Sequence, residues 1–212
     1  MKGGAVGAGV LAAAVALACA PRLRPLPGTV APSALPRSEL PRGHHRVVFQ
    51  WSLEDPDIAA RGEGAARSAS PDSVRLDFFL AGGVGSCAAV LIGTELRLPP
   101  GAPDLGRRLI PPVPLLWASL GRLVIPALPD TNARVDGDTL RADIGVPVAW
   151  RVTFVRDSLR RLERVDDGRV VEWVERGGRV RYRNELSRRQ LELTVTRVDT
   201  TGAFDPIIWV FE

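Results

Sequence analysis

Few side chains in this sequence have the type and spacing that acid–base, nucleophilic or metal chemistry uses. The two histidines are adjacent, His44-His45, with no cysteine or carboxylate at ligand spacing beside them; local residues there build neither a metal site nor a base with an orienting partner. Glu54-Asp55-Pro56-Asp57 and Asp136-Gly137-Asp138 group acids, but neither reaches the oxygen density of a calcium loop, and turn chemistry accounts for both. The serines have no histidine beyond that pair to activate them, which argues against a hydrolase triad. Ala81-Gly82-Gly83-Val84-Gly85 lacks the lysine and the following helix of a phosphate loop; a mobile hairpin tip is expected. The sequence therefore predicts a non-catalytic chain with no metal and no cofactor.

Two cysteines remain, Cys19 and Cys87. Lys2 precedes an Ala/Val/Leu/Gly run that ends at Leu17, which reads as a secretory signal over residues 1–18 and is too short and too weakly apolar for a membrane span. Ala16-Leu17-Ala18-Cys19-Ala20 resembles the lipobox of bacterial lipoproteins, in which the cysteine accepts a diacylglycerol. Ala16-Leu17-Ala18 also fits the A-x-A site of an ordinary signal peptidase. Placement of one of only two cysteines at this position favours Cys19 as a lipid acceptor. Cys87 then has no intramolecular partner, so no disulfide scaffold is expected, and its neighbours Ala88, Ala89 and Val90 suggest a buried, inert thiol.

Residues 19–43 carry Pro21, Pro25, Pro27, Pro32, Pro36 and Pro41, a composition that predicts an extended, poorly packed tether. Residues 44–212 suffice for one domain with its own core. The formal net charge is +4, with Lys2 the only lysine. The arginines alternate with acids, as in Arg160-Arg161-Leu162-Glu163-Arg164-Val165-Asp166, which fits a solvated sheet surface better than a nucleic-acid face.

The elements that must position any site are mostly strands, because period-two alternation dominates. Val47–Trp51, Gly62–Ser68, Val74–Phe78, Cys87–Ile92, Glu95–Leu98, Ala133–Asp136, Thr139–Ile144, Trp150–Phe154, Val171–Trp173, Leu191–Val195 and a closing Ile207–Phe211 all read as strands. Pro99–Pro114 reads as loop. Leu116, Leu120 and Leu123 at i, i+4 and i+7 predict a short apolar helix over residues 115–123. The fold class expected is mainly β: a single curved antiparallel sheet, an incomplete open barrel of about ten strands, with a short apolar lid helix near the middle of the chain.

The order of elements resembles the LolA/LolB family of lipoprotein carriers. Arg75-Leu76-Asp77-Phe78-Phe79-Leu80 with the glycine-rich tip, Val113-Pro114-Leu115-Leu116-Trp117, and Asp205-Pro206-Ile207-Ile208-Trp209 carry the likeness. The resemblance implies a hydrophobic cavity for lipid or lipoprotein acyl chains, an outer-membrane location on the periplasmic face, and cargo received from a periplasmic carrier protein. It also puts Val84 on the protruding loop that meets the membrane. The expected cavity and lid residues are Leu76, Phe78, Leu116, Trp117, Leu120, Trp150, Val152, Phe154, Trp173 and Trp209. Each tryptophan singly fits core packing; as a group facing one concavity they would line a lipid site. The competing expectation is a structural or assembly lipoprotein whose curved sheet holds an envelope protein, its cavity filled by its own side chains.

Overall fold

The computed structural model describes residues 20–32, 34–83 and 85–211; Cys19, Val84 and the signal segment lie outside the described residues. In chain order the strands are β1 (Thr29–Val30), β2 (His44–Glu54), β3 (Ala59–Ala69), β4 (Ser73–Leu80), β5 (Ser86–Ile92), β6 (Glu95–Arg97), β7 (Thr131–Asp136), β8 (Thr139–Ile144), β9 (Trp150–Val155), β10 (Ser158–Asp166), β11 (Arg169–Arg176), β12 (Val180–Asn184) and β13 (Arg189–Thr201). They form one antiparallel sheet ordered β1-β7-β8-β9-β10-β11-β12-β13-β2-β3-β4-β5-β6, open between β1 and β6. Two helices, α1 (Asp104–Leu109) and α2 (Val113–Ser119), stand between β6 and β7 in the chain.

The apolar alternation becomes one packed band through the strand register. Leu53, Leu191, Tyr182, Val174, Leu162, Val152, Ala142 and Ala133 are successive cross-strand partners from β2 to β7. All eight are buried. A one-residue slip at any strand would turn its member of this row outward, so the band holds the register of more than half the sheet.

Two glycines let the other half fold. On β3, a Cβ at Gly62 would lie 1.9 Å from the Phe79 carbonyl oxygen and 2.9 Å from the Trp51 ring, and one at Gly64 would lie 2.4 Å from the Phe49 ring. Their absence lets Phe49 and Trp51 of β2 lie over β3, and Phe78 of β4 packs edge-on against both rings, at 5.5 and 5.9 Å between centroids.

The helices are short and begin after prolines, Pro103 before α1 and Pro112 before α2, with Pro114 in the first turn of α2. α1 carries Asp104 in its first turn and Arg107 and Arg108 in its last, each favourable to the helix dipole. α2 stops because Gly121 takes φ +94°. Its N–H donates to the Ala118 carbonyl and that of Arg122 to the Trp117 carbonyl, the paired bonds of a Schellman cap.

The open, mainly β antiparallel sheet is the one expected, with thirteen strands described where about ten were read, the further ones being short or arginine-rich, as in β10, whose inner residues Leu159, Leu162 and Val165 are buried. Three other expectations are corrected. The loop read over Pro99–Pro114 contains α1, six residues confined between prolines, and α2 ends at Ser119 rather than 123. The closing strand Ile207–Phe211 is a 3-10 turn over Pro206–Trp209, because the Asp205 carboxylate accepts from the Ile207 N–H and caps it. Finally, residues 20–43 are extended but not free. β1 pairs with β7, the Leu23 N–H donates to the Gly168 carbonyl, the Leu123 N–H donates to Ser38 Oγ, and Ala20, Leu26 and Leu40 are buried.

Gly62→Ala is expected to lower stability by about 1–3 kcal/mol, the usual range for overpacking, read as an earlier urea midpoint. An unchanged midpoint would contradict the Trp51 packing described.

Candidate functional site

The inner face, the one the helices cover, has a solid half and a hollow half. Under β7–β11 it is closed by Trp150, Val152 and Phe154, which are 8%, 0% and 1% exposed. Among the described residues, two apolar spaces are found under β2–β5, β12 and β13. One, of about 80 Å³, lies beneath α2 among Phe49, Leu76, Phe78, Leu116, Leu120, Tyr182 and Leu191, with Val47, Val180, Leu193 and Val195 also on its wall. The other, of about 280 Å³, lies against α1 among Trp51, Phe78, Leu80, Cys87, Leu105 and Leu109. Phe78 and Leu109 line both, so these two side chains are the partition between them.

Polar groups meet this chamber at its floor. The Tyr182 hydroxyl donates to Glu172 Oε1 at 3.1 Å and accepts from Arg189 Nη2 at 2.8 Å. Glu172 also accepts from Arg164 Nε at 2.9 Å and from Asn184 Nδ2. A buried carboxylate this fully bonded is a structural anchor. Burial pushes the Tyr182 phenol up from its ordinary value, which keeps it a neutral donor.

α1 is held over the chamber by few contacts. A Cβ at Gly106 would lie 3.0 Å from Cys87 Cβ, so the helix rests directly on β5. Arg108 Nη1 donates to Asp55 Oδ2 at 2.6 Å, joining α1 to the β2–β3 turn. That hydrogen bond holds the Asp55 carboxyl below its ordinary value of 3.8. The stabilisation it brings is complete above that value and is lost only as pH falls through the lowered one, so the latch is constant near neutrality. Burial, with the Asp77 charge nearby, pushes the Cys87 thiol up to about 11.

The expected cavity residues therefore divide. Leu76, Phe78, Leu116 and Leu120 line the chamber. Trp117 is fully buried, but its Nε1 donates to the Gly93 carbonyl at 2.6 Å and it secures α2 to the β5–β6 turn. Trp150, Val152 and Phe154 belong to the solid half. Trp173 and Trp209 are on the outer face: Trp173 donates to Glu185 Oε1 and stacks with Arg161, and Trp209 packs against Phe204. Phe49, Trp51, Leu109 and Tyr182 complete the site without having been singled out for it. The alternation of Val180, Arg181 and Tyr182 is a readable signal for the last; Leu109 sits among prolines and has none. Among the described residues no group of three His, Cys, Asp or Glu side chains is placed to hold a metal ion.

No family model matches the chain, and no curated protein matches it. It is similar in structure to a LolA superfamily protein from Nitrosomonas europaea, at 14% identity and a TM-score of 0.48 over 80% of this chain and 91% of that one. It is also similar to an outer membrane lipoprotein-sorting protein domain from Vibrio parahaemolyticus, at 8% identity and 0.42 over 79% and 89%. A third, a DUF1329 family protein from Desulfovibrio piger, matches at 7% identity and 0.37 over 80% and 90%.

Asp55→Asn is expected to speed maleimide labelling of Cys87, followed by peptide mass mapping, about two- to fivefold, as loss of a partly covered ion pair allows. Both proteins should label faster as pH rises toward the thiol's value while their ratio holds between about pH 6 and 8. An unchanged rate would contradict the latch.

Proposed function

We propose that this protein is a membrane-anchored envelope lipoprotein that holds lipid, or the acyl chains of lipoproteins, beneath α1 and α2 without catalysis. The observation that carries this reading is the pair of apolar spaces that share Phe78 and Leu109 as a common wall. Affinity for an acyl chain comes from apolar area and needs few polar groups, and this chamber is built that way. Displacing Leu109 with α1 merges the two spaces, and α1 is short, ends at Leu109 just before Pro111-Pro112, and is latched by Arg108.

The anchor we assign is a diacylglycerol on Cys19, at the periplasmic face of the outer membrane, with Val84 as the loop residue that enters the bilayer and a periplasmic carrier as the source of cargo. Ala20, the next residue, is buried, and its carbonyl accepts from Arg169 Nη1 at 3.1 Å. Adjacent residues are about 3.8 Å apart. Such an anchor holds the domain against the bilayer rather than on a free spacer.

One observation favours the second reading, a lipoprotein that uses the sheet to hold an envelope protein. The space beneath Leu116 and Leu120 is about 80 Å³, below the roughly 300–1,000 Å³ of typical ligand pockets, so an acyl chain enters only if the helices move.

The full chain purified from cells is expected to yield lipid on solvent extraction, to take up a fluorescent fatty acid, and to show a lipid-modified Cys19 by mass spectrometry. Absence of both lipid and uptake would overturn the cavity reading in favour of the partner-holding one; an unmodified Cys19 would overturn the anchor alone.

A further inference from the structure

The two apolar spaces reach the surface at different strands. The space beneath α2 ends on Val195 of β13, which lines it and is 48% exposed. The space against α1 ends on Gly85 and Ser86, both exposed, where β5 begins. Between β13 and β5 lie β2, β3 and β4, so the openings are four strand spacings apart, roughly 19 Å along the sheet. A bulge builds the opening on β13. Val195 pairs with Phe49 and Val198 with Val47, the register shifting between Val195 and Arg197. Cross-strand partners leave the same face, and Phe49 and Val47 line the chamber, so both valines turn inward. In an unbroken strand residues three apart face opposite ways; the extra residue brings Val198 to the inner face, where it is 61% exposed. Thr196 fixes the bulge by donating from Oγ1 to the Val48 carbonyl at 3.1 Å. An apolar step of two valines thus continues the chamber wall beyond Leu193 toward the end of β13.

The openings also face opposite ends of the sheet. From β10 through β11, β12, β13, β2 and β3 to β4, every strand is antiparallel to its neighbour. β4 and β10 therefore run one way and β13 the other. The glycine-rich tip after β4 and the turn after β10 share one end of the sheet; Val198, late in β13, lies toward the other. The N-terminal segment joins the sheet at the turn after β10, where the Leu23 N–H donates to the Gly168 carbonyl and the Val170 N–H to the Pro21 carbonyl. Ala20, held by Arg169, is thus at the tip's end. An anchor on Cys19 turns this end toward the bilayer and the Val198 end toward the water.

We propose that the chamber is a passage with two mouths: an acyl guest exchanges with the aqueous side across Val198 and Val195, and with the bilayer between the tip and α1, beside Gly85, Ser86 and Leu105. This rests on the lipid-holding and Cys19-anchor readings and adds the route to them. A pocket with a single mouth needs neither a second exposed opening nor a bulge that turns another valine inward beside it. Apolar surface left against water is costly, and where it runs on from a cavity it marks the place a greasy guest crosses. Phe78 and Leu109, which both spaces share, stand midway along the route. Moving α1 therefore joins the mouths as well as the spaces.

The test loads the full chain with a fluorescent fatty acid, read in the chamber by energy transfer from tryptophan, and mixes it with phosphatidylethanolamine–phosphatidylglycerol vesicles to which it attaches by its own anchor. A quencher borne by the lipid reports probe entering the bilayer, and cyclodextrin traps probe entering the water, so each release rate is measured. Val198→Asp is expected to slow release into water about tenfold and to leave release into the bilayer within about twofold; Ser86→Asp is expected to do the reverse, since a charge in an apolar path raises the barrier there alone. Both positions are exposed, so neither variant threatens the fold. A variant that slows both releases alike means one shared mouth and overturns the passage, as does a pair of variants that slow neither. The opposite pairing of variants with releases overturns the route. A chain that binds no probe overturns the chamber and the passage with it. A chain that binds the probe but does not attach to the vesicles overturns the anchor, and with it the assignment of one mouth to the bilayer.

Discussion

An open sheet of thirteen strands presents a long inner face, and the chain covers it with helices of only six and seven residues. Apolar surface left against water is costly at roughly 25 cal/mol per Å², and this shortage of cover shapes the rest of the molecule. Over β7–β11 the sheet solves it with its own large side chains, Trp150, Phe154 and Leu162, packed to near-complete burial. Over β2–β5 it does not close fully, because Gly62 and Gly64 remove side chains so that Phe49, Trp51 and Phe78 can lie together. Hollowness is therefore local, and it follows from which strands carry glycine and which carry bulk.

The ends of the chain cover what the helices do not. The segment from Ala20 to Leu40 crosses the β7–β11 side and adds a two-residue edge strand. The C-terminal turn covers the outer face of β4, where Arg75 donates to the Ile208 carbonyl and lies over the Phe211 ring. Neither of these segments lines the chamber, whose wall includes Leu109 of α1, the helix tied to Asp55 through Arg108.

Much of this is legible in the sequence. Thr139–Ile144 is a strand with the boundaries its alternation gives, and the curved sheet with an apolar helix over it follows from the order of periodic segments. The assignment of tryptophans to faces is not legible, because in Val171-Glu172-Trp173-Val174 both alternating sets contain apolar residues and only the pairing of Val174 with Leu162 and Tyr182 decides which set turns inward. Helix α1 is hidden for a different reason: six residues with a central glycine between prolines carry too little periodicity to distinguish them from a turn, although Leu109 at its end lines both apolar spaces. The 3-10 turn at the C-terminus overrides an apparent strand through a single capping carboxylate, Asp205.

The central claim is that the partition of Phe78 and Leu109 opens to join the two apolar spaces around a guest. A crystal structure of the full chain saturated with a long-chain fatty acid tests it most directly. Continuous aliphatic density running from beside Leu116, past a displaced Leu109, to the neighbourhood of Cys87 is the predicted result. Both side chains in their present places, with the fatty acid bound on the outer face or not at all, would contradict it.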